Sequence, residues 1–185
     1  MIRSRQDYLE FTRVERDLGG ASLKNKLFPS PAGQFIRALR VLEYHYNSHH
    51  RIRTFFAYWR WWRLVKSTGI SIAKNVCEKG LTIPHHGSIV INSACHIGEN
   101  CMIQNNVNIG ANGGSMKAPQ IGRDVYIGPG AVIFGDITIA DGCYIGANAV
   151  VNKSFLEPNS VIVGVPAKVI KYDSVHWWEK NGLSR

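Results

Sequence analysis

The sequence predicts a mainly β fold, a parallel β-helix with helices covering its ends. Three observations carry that expectation. Ile91, Ile97, Ile103 and Ile109 stand six residues apart, and the series resumes with Ile121, Ile127, Ile133, Ile139, Ile145 and Val151. Four positions after each of the first nine stands a small or β-branched residue: Cys95, Cys101, Val107, Gly113, Val125, Ala131, Ile137, Cys143 and Ala149. Glycine often follows the aliphatic residue, as at Gly98, Gly110, Gly122, Gly128 and Gly146.

A helix repeats every 3.6 residues and a strand every 2, so neither produces this period. A short strand plus a corner does, and three such sides close a triangular coil. Coils stack through backbone hydrogen bonds, each with its aliphatic residue inside, as in other solenoids. β-branched residues suit the flat sides. Gly and Asn suit corners of unusual backbone conformation. Three of the four cysteines, Cys95, Cys101 and Cys143, fall in the small inward slot and read as reduced core filler. Cys95, His96 and Cys101 could form a metal site, but the repeat register explains both sulfurs, so no metal is expected.

The repeat breaks at Gly110-Ala-Asn-Gly-Gly-Ser-Met-Lys-Ala-Pro-Gln120. Ile109 and Ile121 are two whole hexads apart, so the break is either two degenerate hexads or an extruded loop. Its Gly and Asn content favours a loop, which could close over a ligand.

A short solenoid needs its ends covered. Residues 1–18 and 31–47 read as helices, the second with Pro31 near its start and an apolar pattern from Phe35 to Tyr46. Arg51–Lys66 is a third, with Ile52, Phe55, Phe56, Trp59 and Trp62 among Arg53, Arg60, Arg63 and Lys66. Such a helix either docks on a membrane interface or packs against its neighbours, its arginine stems covering apolar area. The packed arrangement is the expectation. The chain thus divides into a helical segment (1–68), the β-helix (69–170) and a C-terminal helix or tail (171–185).

The net charge of the 185 residues is +9. Residues 1–69 hold 13 Lys and Arg against 5 Asp and Glu, so the excess lies almost wholly there. A basic segment suits an anionic membrane face, an acidic glycan or nucleic acid, or is simply solvated. No nucleic-acid motif accompanies the charge, so that partner is not expected. No apolar run is long enough to span a bilayer, and the charged N-terminus is no secretory signal. The expected location is cytoplasmic, extending to the inner face of the membrane.

The stretch GLTIPHHGSIVINSACHIGENCMIQNNVNIGANGG, the run IGRDVYIGPGAVIFGDITIADGCYIGANAVV and the ending GVPAKVI resemble bacterial serine O-acetyltransferases. They resemble still more the relatives encoded among capsule and surface-polysaccharide genes. The likeness covers about residues 69–171. It implies a left-handed parallel β-helix and a homotrimer with each active site between neighbouring subunits. Acetyl-CoA is the implied donor. The family's base histidine, in its Asp-His-Ala segment, falls on His85, with His86 beside it as fallback and acceptor contact. A neutral imidazole can take the proton from an acceptor hydroxyl as it attacks the thioester. A backbone N–H near Gly110 would meet the oxyanion. Positions lining the pantetheine groove fall on Ala111, Gly128, Pro129 and Ala147, and Lys153 and Lys168 either meet CoA phosphates or stand solvated. A competing reading of His85 remains: extending the register back from Ile91 puts it in an inward slot, as a buried structural histidine.

Three departures bear on the acceptor. The family's Asp before the base histidine is Pro84 here. Its Arg-His-Pro, which grips the serine carboxylate, is Lys117-Ala118-Pro119, so only Lys117 keeps a charge for the substrate. The Asp that orients the base falls near Gly69. A free amino acid needs a cation for its carboxylate and an anion for its ammonium, whereas a sugar hydroxyl needs neither. The expected acceptor is therefore a sugar of a capsular or other surface polysaccharide, or its precursor. Serine, as in cysteine biosynthesis, is the alternative, and a non-catalytic β-helix is the third reading.

Overall fold

The computed structural model describes residues 1–18, 28–180 and 182. Helices α1 (Arg5–Leu18), α2 (Pro31–Asn47) and α3 (Arg51–Thr68) precede the strands. Local chemistry sets their ends. Ser4 and Asp7 form a reciprocal cap on α1, each side chain accepting the other's backbone N–H. Ser30 Oγ accepts the Gly33 N–H ahead of α2, with Pro31 in its first turn. Gly69 closes α3 at φ 72°, where a side chain would be strained.

The strands follow as β1 (Ile70–Ile72), β2 (Ile89–Ile91), β3 (His96–Ile97), β4 (Met102–Ile103), β5 (Asn108–Gly110), β6 (Gln120–Ile121) and β7 (Tyr126–Ile127). Then come β8 (Val132–Phe134), β9 (Thr138–Ile139), β10 (Tyr144–Ile145), β11 (Val150–Val151), β12 (Ser160–Val163) and β13 (Lys168–Tyr172). They make three faces of a prism. The first is β1-β2-β5-β8-β11, the second β3-β6-β9, and the third β4-β7-β10-β12-β13. All pairs are parallel except β12 with β13. This is the expected left-handed parallel β-helix, with a final hairpin strand and a short helix α4 (Trp177–Lys180).

The inward series Ile91 to Val151 is at most 4% exposed, and Cys95, Cys101, Val125, Ala131, Cys143 and Ala149 fill the small slots beside it. Gly113 is the exception. It is exposed, with nothing near the place a Cβ would occupy. Strand register explains why. Ile91 pairs with Ile109 and Ile121 with Ile139, eighteen apart, whereas Ile97 pairs with Ile121 and Ile109 with Ile133, twenty-four apart. The break is therefore one hexad plus six extruded residues, not two hexads. Residues 112–117 are exposed, and Ala118 and Pro119 re-enter the core.

Coils approach closely where glycines stack. A Cβ on Gly98 would lie 2.6 Å from the Gly122 carbonyl carbon. Backbone cannot yield there without breaking the ladder. Gly98→Ala is expected to cost about 1–3 kcal/mol, read from denaturant unfolding.

The helices share the core of the coils. Ala32, Phe35, Ile36 and Leu39 of α2 close the open end beneath β1. A buried ion cluster fixes this lid. Arg40, fully buried, pairs with Glu15 at 2.6 Å and Glu43 at 2.7 Å, and donates to the carbonyls of Cys77 at 2.9 Å and Glu78 at 2.7 Å. Burial, reinforced by the Glu43 charge and opposed by Arg40, raises the Glu15 carboxyl to about 7. A carboxyl raised in the fold adds stability at low pH that is lost as pH rises through 7. Thermal midpoints are thus expected to fall between pH 5 and pH 8, and Glu15→Gln to flatten that slope.

The C-terminal helix lies along the side of the prism instead of covering its far end. Trp177 of α4, 1% exposed, sits with Leu18 and Met102 over the third face and donates its ring N–H to the Asn100 carbonyl at 2.7 Å. The third helix departs from expectation. Its inner stripe is Ala57, Trp61, Leu64, Val65 and Thr68, while the aromatic and cationic residues face outward and are not packed.

Candidate active site

His85 and His86 lie at the corner between the third and first faces. Both are exposed, so the buried-histidine reading does not hold. The bridge between Thr82 and Met102 sets Ile83 beneath Ile103. Ile103 to Ile109 is six residues, whereas Ile83 to Ile91 is eight. The two extra residues push the corner out, and Ile83 (5% exposed) takes the inward slot.

The corner is pinned by backbone. The Gly87 N–H donates to the Thr68 carbonyl and that of Ile89 to the Gly69 carbonyl, both at 3.1 Å. Residue 69 therefore lies against the histidine turn. It is glycine and brings no carboxylate. Directly above Gly87 stand Asn105 and Asn106 of the next coil. Sequence reasoning missed this pair. The signal was the run Gln104-Asn-Asn, which reads as an ordinary corner until the stacking order is known.

The groove positions divide between corners. Gly128, Pro129 and Ala147 fall on the same corner as His85, in coils stacked further along it. Gly128 is buried, while Pro129 and Ala147 are exposed and small, leaving a smooth wall with no competing side-chain charge. Ala111, Lys117 and Lys153 lie on the next corner, across the whole width of the first face. Lys168 stands exposed on the outer strand β13. A single chain does not bring His85 and Lys117 together.

The loop is partly self-satisfied. The Gly113 N–H donates to Asn112 Oδ1 at 2.9 Å, Ser115 N–H to the Asn112 carbonyl at 2.9 Å and Lys117 N–H to Ser115 Oγ at 3.1 Å. Lys117 Nζ binds Asp136 at 2.7 Å, and that hydrogen bond raises the lysine pKa. Ala118 is 3% exposed and points into the core, so Lys117 is the last loop side chain facing outward. The cysteines are inert: burial raises Cys95 to about 11 and Cys101 to about 12. Their sulfurs point inward and His96 is exposed, so the three do not converge, and no cluster of three potential metal ligands occurs among the described residues.

Residues 118–153 match the family described as bacterial transferase hexapeptide (six repeats). The chain is also similar to the serine acetyltransferase of Staphylococcus aureus strain Mu50, 38% identical over 111 residues, covering 58% of this chain and 52% of that protein. It spans about half the length of the curated relatives it matches. Soybean serine acetyltransferase solved with serine matches at TM-score 0.71 and 27% identity, over 90% of this chain and 69% of that one. The Brucella abortus enzyme solved with coenzyme A matches at TM-score 0.72 and 25% identity, over 90% and 67%. These relatives carry the name serine acetyltransferase, not that of a capsule enzyme.

Proposed function

We propose that the protein is a cytoplasmic acetyl-CoA-dependent O-acetyltransferase with His85 as general base, and that serine is its acceptor. The observation that carries the chemistry is the out-turned His85 corner, with the small-walled column Gly128, Pro129 and Ala147 on the same edge. Serine is supported by the names of the relatives that match the β-helix.

Bound acetyl-CoA supplies an activated acyl carbon. An imidazole nitrogen of His85 takes the acceptor hydroxyl proton as that oxygen attacks, then returns it to the departing thiolate. Pro129 and Ala147 leave room for a thin donor chain, and Ala111 would border it from a second subunit. Lys153 and Lys168 are exposed cations for its phosphates.

A homotrimer completes the site. Outward residues of the first face include Val90, Val132, Phe134 and Val150, an apolar surface suited to burial around a three-fold axis. Packed so, the His85 corner of one copy meets the Lys117 loop of its neighbour. His86 and Lys117 would then flank the acceptor.

A sugar hydroxyl of a surface polysaccharide or its precursor is the second reading. Pro84, Gly69 and the inward Ala118 favour it, because they remove groups that would hold an amino acid's two charges. One assay separates the two. Purified protein with acetyl-CoA and serine should release free thiol with saturation. If only surface-polysaccharide fragments gain the acetyl mass, the serine reading fails.

A further inference from the structure

The outward face of α3 is the largest feature the proposed chemistry leaves unused. Ile52 is 77% exposed, Phe55 68%, Phe56 63%, Trp59 52% and Trp62 42%. They lie opposite the inner stripe Ala57, Trp61, Leu64 and Thr68, so they form one continuous strip. The helix carries Arg51, Arg53, Arg60, Arg63 and Lys66 and no acidic residue. Cations and rings are interleaved: the Arg63 guanidinium lies 4.9 Å from the Trp59 ring and the Lys66 ammonium 3.7 Å from the Trp62 ring. No helix among the described residues is long and apolar enough to cross a membrane.

We propose that α3 lies flat on an anionic lipid bilayer, its aromatic strip at the headgroup boundary and its cations on lipid phosphates. Charge complementarity selects this occupant. Two copies packed through this strip would bring their cations together with no carboxylate between them. A nucleic-acid strand would match the charge, but Ile52, Phe55 and Phe56 form an apolar group better suited to acyl chains than to a phosphate backbone. Tryptophan and arginine together are the composition of helices that rest in the interfacial plane. The inference is independent of which hydroxyl the enzyme acetylates.

The test is sedimentation of the full-length protein with vesicles of phosphatidylcholine alone or with added phosphatidylglycerol, alongside tryptophan fluorescence. Binding and a blue shift are expected only with phosphatidylglycerol. Two variants, Phe55→Ser with Trp59→Ser, and Arg60→Gln with Arg63→Gln, should each weaken partitioning about tenfold or more. Both should keep the wild-type unfolding midpoint and acetyl-transfer rate, since none of these side chains enters the core. Equal binding to neutral vesicles, or no binding to anionic ones, overturns the proposal. So does a wild-type assembly that the Phe55→Ser/Trp59→Ser pair splits, which assigns the strip to a second copy. An oligonucleotide that shifts the tryptophans while anionic vesicles do not overturns it as well.

Discussion

His85→Ala is expected to lower acetyl transfer by about 10²–10⁴-fold while the protein stays folded and assembled. The size follows from what a positioned base contributes to an attack by an un-ionised hydroxyl. The fold should survive because His85 is exposed on an out-turned corner whose inward slot belongs to Ile83. Thiol release from acetyl-CoA gives the rate, and the unfolding midpoint and sedimentation coefficient give the control. His86→Ala, one residue along the same turn, should cost far less. A reversed order would move the base to His86. Unchanged turnover in both variants would remove the corner from the mechanism altogether.

Arg40→Ala is expected to destabilise the protein by about 3–5 kcal/mol, the usual cost of removing one partner from a buried ion pair. Arg40 is fully buried and serves four acceptors from three parts of the chain: Glu15 on α1, Glu43 on α2, and the carbonyls of Cys77 and Glu78 in the first coil. Its ring contact with Phe11, 5.0 Å to the centroid, adds packing. Alanine leaves two carboxylates and two carbonyls facing an empty volume. Much of the loss should therefore return in Arg40→Ala/Glu15→Gln, which removes one orphaned charge. Denaturant unfolding checks both values. A single-variant loss below about 1 kcal/mol would mean the lid is held by Phe35 and Leu39 packing alone.

The hexad period, the core slots and the helices were legible before any coordinates, because each is a local pattern. Ile and Val at fixed spacing need only be counted, and Pro31 marks a helix start whatever surrounds it. The same counting failed where spacing alone is ambiguous. Twelve residues between Ile109 and Ile121 fit two hexads or one hexad with a six-residue loop, and only the pairing of Ile97 with Ile121 decides between them. Gly113 fitted the slot pattern and proved to be loop. His85 fitted it too, until the two surplus residues between Ile83 and Ile91 turned it outward. For α3, composition allowed a packed or an interfacial helix. Which side of a helix is covered depends on what else the chain brings there, and α2 covers only the narrow Ala57–Trp61–Leu64 side. Sequence alone determined the period, hence the prism and its inward residues, because that information is local and repeats. The tertiary structure decided which corner holds each functional residue, because stacking order converts positions far apart in sequence into neighbours along one edge.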